Sequence, residues 1–267
     1  MSDSPEPVQS PTPLAIEKAP MEIHKPHAAK TWREFFVELG TIIAGILIAL
    51  ALEQTVEAIH WRHKVDDAAQ AMRLELRDAD GPQAYTRVAL QACLDRQLVA
   101  LQTAIAAGRT RAEIAALAGD YRPPYRTWDT EAWKATLASD VGSHVDAEEM
   151  IDWSKPYRIL PQLEALNAQE HTDRIALQPP GRPEEQLTPG EAEAMLAAVQ
   201  RLRADNRDMG QFSRLILFSG EKFGASMTPD QQRQLLGQLR AHYRNCVTVP
   251  STQGVNPTDQ LRDLHPQ

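Results

Sequence analysis

An uninterrupted apolar run near the N-terminus constrains this chain more than any other feature. No charged side chain occurs between Leu39 and Leu52, and Phe35 and Phe36 extend the run towards the N-terminus. A helix over residues 35–52 is roughly 27 Å long at about 1.5 Å per residue. Because the hydrocarbon core of a bilayer is about 30 Å thick, the run predicts a membrane-spanning helix.

Two tryptophans bracket this run. Along one helix Trp32 and Trp61 lie roughly 43 Å apart, which matches the thickness of a bilayer with its headgroups. We therefore assign residues 31–61 to the transmembrane helix, with a buried core helix and a signal peptide cleaved near Ala49-Leu50-Ala51 as the alternatives. The predicted membrane-anchor residues are Trp32, Phe35, Phe36, Gly45, Leu52 and Trp61.

Small residues recur at every fourth position of the predicted span. Thr41, Gly45 and Ala49 share one helix face, and small side chains at this spacing let two helices approach closely in lipid. The face predicts a homo-oligomer that forms through the transmembrane helix. The alternative is that alanine and glycine are simply common in membrane spans.

The segment before the span, residues 1–30, is rich in proline and lacks apolar periodicity. Such a segment cannot bury enough surface to offset the entropy of ordering it, so we predict a disordered tail. Basic residues are more frequent before the span than after it, which favours a cytoplasmic N-terminus. We therefore expect a single-pass protein of the bacterial inner membrane with its helical domain in the periplasm.

Residues 62–246 carry apolar side chains at helical spacing and almost no pattern typical of strands. We expect the anchor helix to continue as an amphipathic stalk to about Asp80 and to end at Gly81-Pro82. A second break is expected between Trp153 and Pro156. The fold class predicted is all-α: one N-terminal transmembrane helix that continues into an amphipathic stalk and a helical-bundle domain.

Two helix starts are marked in the second half of the domain. Thr188-Pro189 and Thr228-Pro229 each place a hydroxyl at the cap and a proline in the first turn, with Glu191 or Gln231 three residues after the cap. This is the pattern of a capping box. After the last predicted helix, residues 247–267 are expected to form a polar C-terminal tail.

The chain has two cysteines, and each lies at the edge of an apolar helical stripe. Cys93 flanks Leu90 and Leu94, and Cys246 follows Leu239 and Tyr243. In a periplasmic domain an even number of cysteines favours a disulfide, which here would tie the last helix to an early one. The alternative is two buried free thiols that pack as small apolar side chains.

Two zones of the chain resemble a group of uncharacterised bacterial single-span membrane proteins. Residues 32–57 are similar to that group's aromatic-flanked anchor, and residues 130–140, with the Tyr157 helix, look like its second motif. Together the zones cover roughly a quarter of the chain. The resemblance implies an N-terminal anchor helix followed by an all-helical extramembrane domain, and it implies no activity.

The chain contains none of the common catalytic or cofactor-binding motifs. Glu57, His60 and His63 rotate around the helix rather than sharing a tight face, so we expect polar interfacial residues rather than metal ligands. The net charge of -8 argues against nucleic acid as a partner. No catalytic residue, cofactor or metal is therefore predicted.

The leading functional hypothesis is a non-enzymatic interaction or scaffold protein that is anchored in the bilayer and binds a protein partner of unknown identity. A membrane-anchored sensor ectodomain is the first alternative, and it predicts a polar ligand pocket between helices. An enzyme with an unrecognised helical site is the second alternative, and it predicts a pocket with convergent titratable groups.

Overall fold

The computed structural model describes residues 31–250, and within that range every regular element is helical. The all-α fold class is therefore confirmed. The predicted disordered tail at 1–30 and residues 251–267 of the predicted polar tail lie outside the described residues. The helices are α1 (Trp32–Glu75), α2 (Gly81–Ala106), α3 (Arg111–Asp120), α4 (Glu131–Ala138), α5 (Ala147–Ile175), α6 (Pro189–Lys222) and α7 (Pro229–Tyr243).

Intrachain contacts divide the chain into two units, which meet between Val56 and Glu57. The first unit contains the N-terminal part of α1. Among the described residues, this is the helix long and apolar enough to cross a membrane, and none of its most apolar 18-residue window is buried. Its apolar side chains are therefore not covered by any of the described residues.

The second unit, which we call the helical domain, is organised around the antiparallel neighbours α2 and α6. One core cluster joins the end of α1 to α5 and α6 through Met72, Leu76, Trp153, Leu160 and Ile216. The other joins the later turns of α2 to α3 and to the first half of α6. The predicted stalk is thus partly a core helix, since its stripe becomes buried from Ala69 onward.

The prediction that Gly81-Pro82 ends the first helix is wrong. A π-turn over Leu76–Asp80 joins α1 to α2 without a break. Pro82 has no N–H to donate to the preceding turn, and the wider π-turn absorbs this defect. Gly81 donates its N–H to the Leu76 carbonyl, and a Cβ at this position would lie 2.7 Å from that oxygen. Glycine is therefore required for the close approach rather than for a chain reversal.

The predicted break before Pro156 is also wrong, because Pro156 and Pro161 both lie inside α5. An interior proline costs a helix about 3 kcal/mol. Here Trp153, Tyr157 and Leu160 are buried on one face of the helix across the proline. Tertiary packing of that face offsets the local penalty, which local sequence patterns do not reveal.

The two predicted capping boxes are confirmed. The Thr188 hydroxyl accepts the Glu191 N–H, and the Thr228 hydroxyl accepts the Gln231 N–H. A third capping box, at Thr110 of α3, has the same geometry and was not anticipated. Among the described helices, α3, α6 and α7 thus begin with a capping box, whereas Thr130 before α4 makes no side-chain cap bond.

A disulfide joins Cys93 of α2 to Cys246, which follows α7, with Cα atoms 5.2 Å apart. The chain beyond it is also attached to α2. Thr248 donates both its backbone N–H and its hydroxyl to the Ala89 carbonyl, each at 2.9 Å. Val247 packs on the second core cluster, so the first residues of the predicted polar tail belong to the helical domain.

The disulfide closes a loop between residues 153 positions apart, which should be visible on a gel. We expect the native protein to migrate faster without reductant than with it, because the crosslinked denatured chain is more compact. Cys246→Ser should migrate like the reduced wild type under both conditions. Identical migration of the wild type with and without reductant would contradict the bond.

Candidate functional site

The predicted anchor residues of the N-terminal unit are exposed on α1. Trp32 is 77% exposed, and its ring lies 6.0 Å from that of Phe35 and 5.9 Å from that of Phe36. Leu52 is 62% exposed at the other end of the run. A cluster of three aromatic rings at the start of an apolar helix has the chemistry of a membrane-interface belt.

The predicted association face is open in the single chain. Thr41 donates its hydroxyl to the Val37 carbonyl at 2.9 Å, which satisfies it within the helix. A Cβ added at Gly45 would meet nothing within 4 Å. Together with Ala49, these residues leave a smooth surface without a partner in the described chain.

Trp61, the second predicted anchor, has partners within the helical domain. Its indole stacks on the His144 ring at 3.8 Å between centroids, and Lys64 places its Nζ 4.7 Å from the indole centroid. The indole N–H donates to Glu57 at 3.4 Å. Trp61 therefore packs against the short 3₁₀ turn Asp140–His144, a role that its sequence position does not indicate.

A buried ion-pair network lies at the centre of the domain. Arg87 of α2 binds both carboxylate oxygens of Glu170 of α5, at 2.8 and 2.7 Å. The Tyr121 hydroxyl donates to the same carboxylate at 2.8 Å, and Arg87 also donates to the Asn206 side chain at 3.1 Å. All four residues are buried. The network fixes α2, α5, α6 and the segment after α3 relative to one another.

Two carboxylates flank the π-turn and are buried without a cation. Glu75 accepts the Ala132 N–H at 2.8 Å, and Asp80 accepts the Asp129 N–H at 2.9 Å. The remaining oxygen of each carboxylate is shielded from solvent, and that of Asp80 has no hydrogen-bond partner in the described part of the chain. The two acids thus hold the first turn of α4 and the residue Asp129 before it against the π-turn.

Burial of these acids alters their ionisation. Desolvation raises the pKa of Asp80 to about 7, and the nearby Glu75 and Asp129 carboxylates reinforce the shift. Desolvation also raises the pKa of Glu75. An acid whose charged form is disfavoured at neutral pH can hold a proton there, so the π-turn is a proton-sensitive place in the described domain.

Two solvent-open cavities lie beside the first turns of α2. The first has a volume of about 300 Å³ and is lined by both polar and apolar groups of the π-turn, α2, α6 and the segment before α7, including Leu76, Tyr85, Ile216 and Met227. The second, which we call the α7 cleft, has a volume of about 330 Å³ between α2, α7 and the loop over 121–130. Its lining residues are Pro82, Gln83, Thr86, Arg126, Leu235, Gln238, Leu239, His242 and Tyr243.

Arg126 is the charged group of the loop that lines the α7 cleft. Its backbone is held by Asn167, which donates to the Arg126 carbonyl at 2.8 Å and accepts its N–H at 3.4 Å. Asn167 is buried in α5, so the position of Arg126 is anchored to the core. Besides Arg126 and His242, the residues that line the cleft contribute amide, hydroxyl and apolar groups.

Sequence reasoning missed these sites because their members are distant in the chain. Arg87 and Glu170 are 83 residues apart, and no local pattern marks a residue as a partner across that distance. The described residues contain no cluster of three or more metal-ligating side chains. The sequence feature that points to this region is Gly81-Pro82, which marks the π-turn beside both cavities.

Comparisons with known proteins identify no relative: no protein-family model matches the chain, and no curated protein or solved structure is similar to it.

Proposed function

We propose that this chain is a single-span membrane protein that acts by binding a protein partner rather than by catalysis. The exposed apolar surface of α1 carries the proposal, since the most apolar window of this helix buries none of its residues in the protein. Water disfavours such a surface, whereas the bilayer interior accepts it without leaving any backbone group unpaired. The resemblance of residues 32–57 to bacterial single-span anchors supports the same conclusion.

We propose further that the N-terminus is cytoplasmic and that the helical domain lies in the periplasm of a bacterial inner membrane. The excess of basic residues before the span supports this orientation. The Cys93–Cys246 disulfide supports it independently, because disulfides persist in oxidising compartments such as the periplasm. A homo-oligomer through the Thr41, Gly45 and Ala49 face is part of the proposal.

Membrane anchoring is tested by charging the centre of the run. The double variant Ile43→Arg/Ile46→Arg should lose most of its membrane-bound fraction after carbonate washing, because each arginine at a helix centre costs about 2.5–3.5 kcal/mol of insertion. Gln70→Arg, an exposed position of α1 in the helical domain, is the matched control and should stay membrane-bound.

Two results would contradict the proposal. A wild-type protein that remains soluble without detergent would remove the anchor altogether. A reporter fused after Gln267 that is active only in the cytoplasm would reverse the orientation while leaving the anchor intact.

A sensor ectodomain is the second candidate, and the two cavities beside α2 are the observation that favours it. A sensor needs a ligand site within its folded domain, whereas a scaffold does not. Saturable binding of a small molecule in either cavity would therefore favour the sensor over the scaffold.

A further inference from the structure

We propose that the α7 cleft binds a small organic anion and that Arg126 recognises its carboxylate or phosphate group. The inference goes beyond the membrane-anchored role proposed above and does not depend on it, because every residue involved belongs to the helical domain.

The unpartnered guanidinium of Arg126 is the first argument. Its Nε is shielded from solvent, and within residues 31–250 no nitrogen of its side chain has a hydrogen-bond or ion-pair partner. Arg87 and Arg111 are also buried, and their Nε atoms likewise lack a partner, but their terminal nitrogens bind Glu170 and Glu191. Since a partly desolvated cation without a partner is costly, an anionic group at this position would satisfy it.

The charge of the cleft is the second argument. The chain carries a net charge of -8, yet no Asp or Glu is among the residues that line the α7 cleft. Arg126 and His242 are instead its ionisable basic groups. A cleft free of carboxylates on an acidic protein favours anions over cations at that place.

The neighbouring polar groups supply further donors. Burial raises the pKa of Tyr243, whereas the positive charges of Arg126 and Arg87 lower it by less. The Tyr243 hydroxyl therefore stays protonated at neutral pH and is available as a donor. Gln83 and Gln238 add amide groups, so a carboxylate or phosphate has several donors besides the planar guanidinium.

The apolar walls and the size define the rest of the ligand. Pro82, Leu235 and Leu239 also line the cleft, and they suit a small hydrocarbon or aromatic body. A volume of about 330 Å³ lies at the lower end of the range for small-molecule sites. We infer a compact anion of about the size of benzoate rather than a polymer or a lipid.

The cleft is held in place before any ligand arrives. Asn167 fixes the backbone of Arg126 from the core, and the disulfide together with Thr248 ties the end of α7 to α2. Binding therefore does not require these elements to become ordered, which lowers the entropic cost of association.

Calorimetric titration of the full chain in detergent tests the proposal with benzoate, phenyl phosphate and the neutral benzyl alcohol as probes. At least one anion should bind saturably with a Kd below about 1 mM. Benzyl alcohol should bind at least about tenfold more weakly, because it cannot form charge-assisted bonds to the guanidinium. The stronger of the two anions identifies the acidic group as carboxylate or phosphate.

Arg126→Gln should weaken binding of that anion by about tenfold or more. Arg122→Gln is the matched control, since Arg122 is exposed, lies in the same loop and bonds to Gly119 instead; it should bind like the wild type. Tyr243→Phe should give a smaller loss and keeps the test available if Arg126→Gln does not fold. Absence of binding by both anions, or equal binding by the wild type and Arg126→Gln, would overturn the proposal.

Discussion

Replacing Glu170 with alanine should lower the free energy of unfolding by about 3–5 kcal/mol. The substitution leaves the buried guanidinium of Arg87 without its carboxylate partner, to which it now donates at 2.8 and 2.7 Å. It also removes the acceptor of the buried Tyr121 hydroxyl. The loss should appear as a lower denaturation midpoint of the full-length protein in detergent, measured by circular dichroism.

Two comparisons separate the buried charge from general disruption. Lys134→Ala removes an exposed ion pair with Glu131 and should change stability by less than about 1 kcal/mol. The double variant Arg87→Met/Glu170→Leu should be more stable than Glu170→Ala, because no uncompensated charge remains. A double variant that is as unstable as the single one would show that lost packing, rather than the unpaired arginine, causes the effect.

Local features of the fold were predictable because the responsible residues are close in sequence. The capping boxes at Thr188 and Thr228 need a hydroxyl and a long side chain three residues later, and both were identified from that pattern. The all-α class followed in the same way from apolar spacing. The cysteines were recognised as candidates because each lies beside an apolar stripe, although their pairing depends on distant packing.

Features that depend on tertiary packing were not predictable from local pattern. Pro156 predicts a break, yet burial of Trp153 and Tyr157 on either side keeps α5 continuous. Gly81-Pro82 predicts an end, yet the same two residues suit a π-turn between two packed helices. A proline or glycine marks a place where the α-helical pattern changes, while the surrounding core decides how it changes.

The candidate sites depend on tertiary packing even more than the helix boundaries do. Arg126 lies in a loop that carries no motif. It stands out only in the structure, where its buried Nε has no partner among the described residues and where it lines a cleft together with residues of α7. Neither an unpaired side chain nor a cleft has a signature in a single sequence. Trp61 is similar, since only the structure shows that its ring stacks on His144.

The Asp80→Asn variant should be more stable than the wild type at pH 8, by up to about 4 kcal/mol. Asp80 is fully buried, and desolvation raises its pKa from 3.8 to about 7. A shift of about three pKa units corresponds to roughly 4 kcal/mol at 1.36 kcal/mol per unit. The asparagine carbonyl can still accept the Asp129 N–H, which Asp80 now accepts at 2.9 Å, and the neutral amide carries no charge to desolvate.

The sign of the effect fixes its pH window. The folded state holds the Asp80 proton more tightly than the unfolded state, so wild-type stability is fully present below about pH 4 and falls as the pH rises to about 7. The asparagine variant lacks this dependence, so the two proteins should coincide at pH 4 and separate progressively until the wild-type acid has ionised. Asp67→Asn, an exposed position on α1, should leave the wild-type profile unchanged.

A stability difference of equal size at pH 4 and pH 8 would show that Asp80→Asn acts through packing. An Asp80→Asn variant that is less stable than the wild type at pH 8 would show that the buried acid has a partner that compensates its charge.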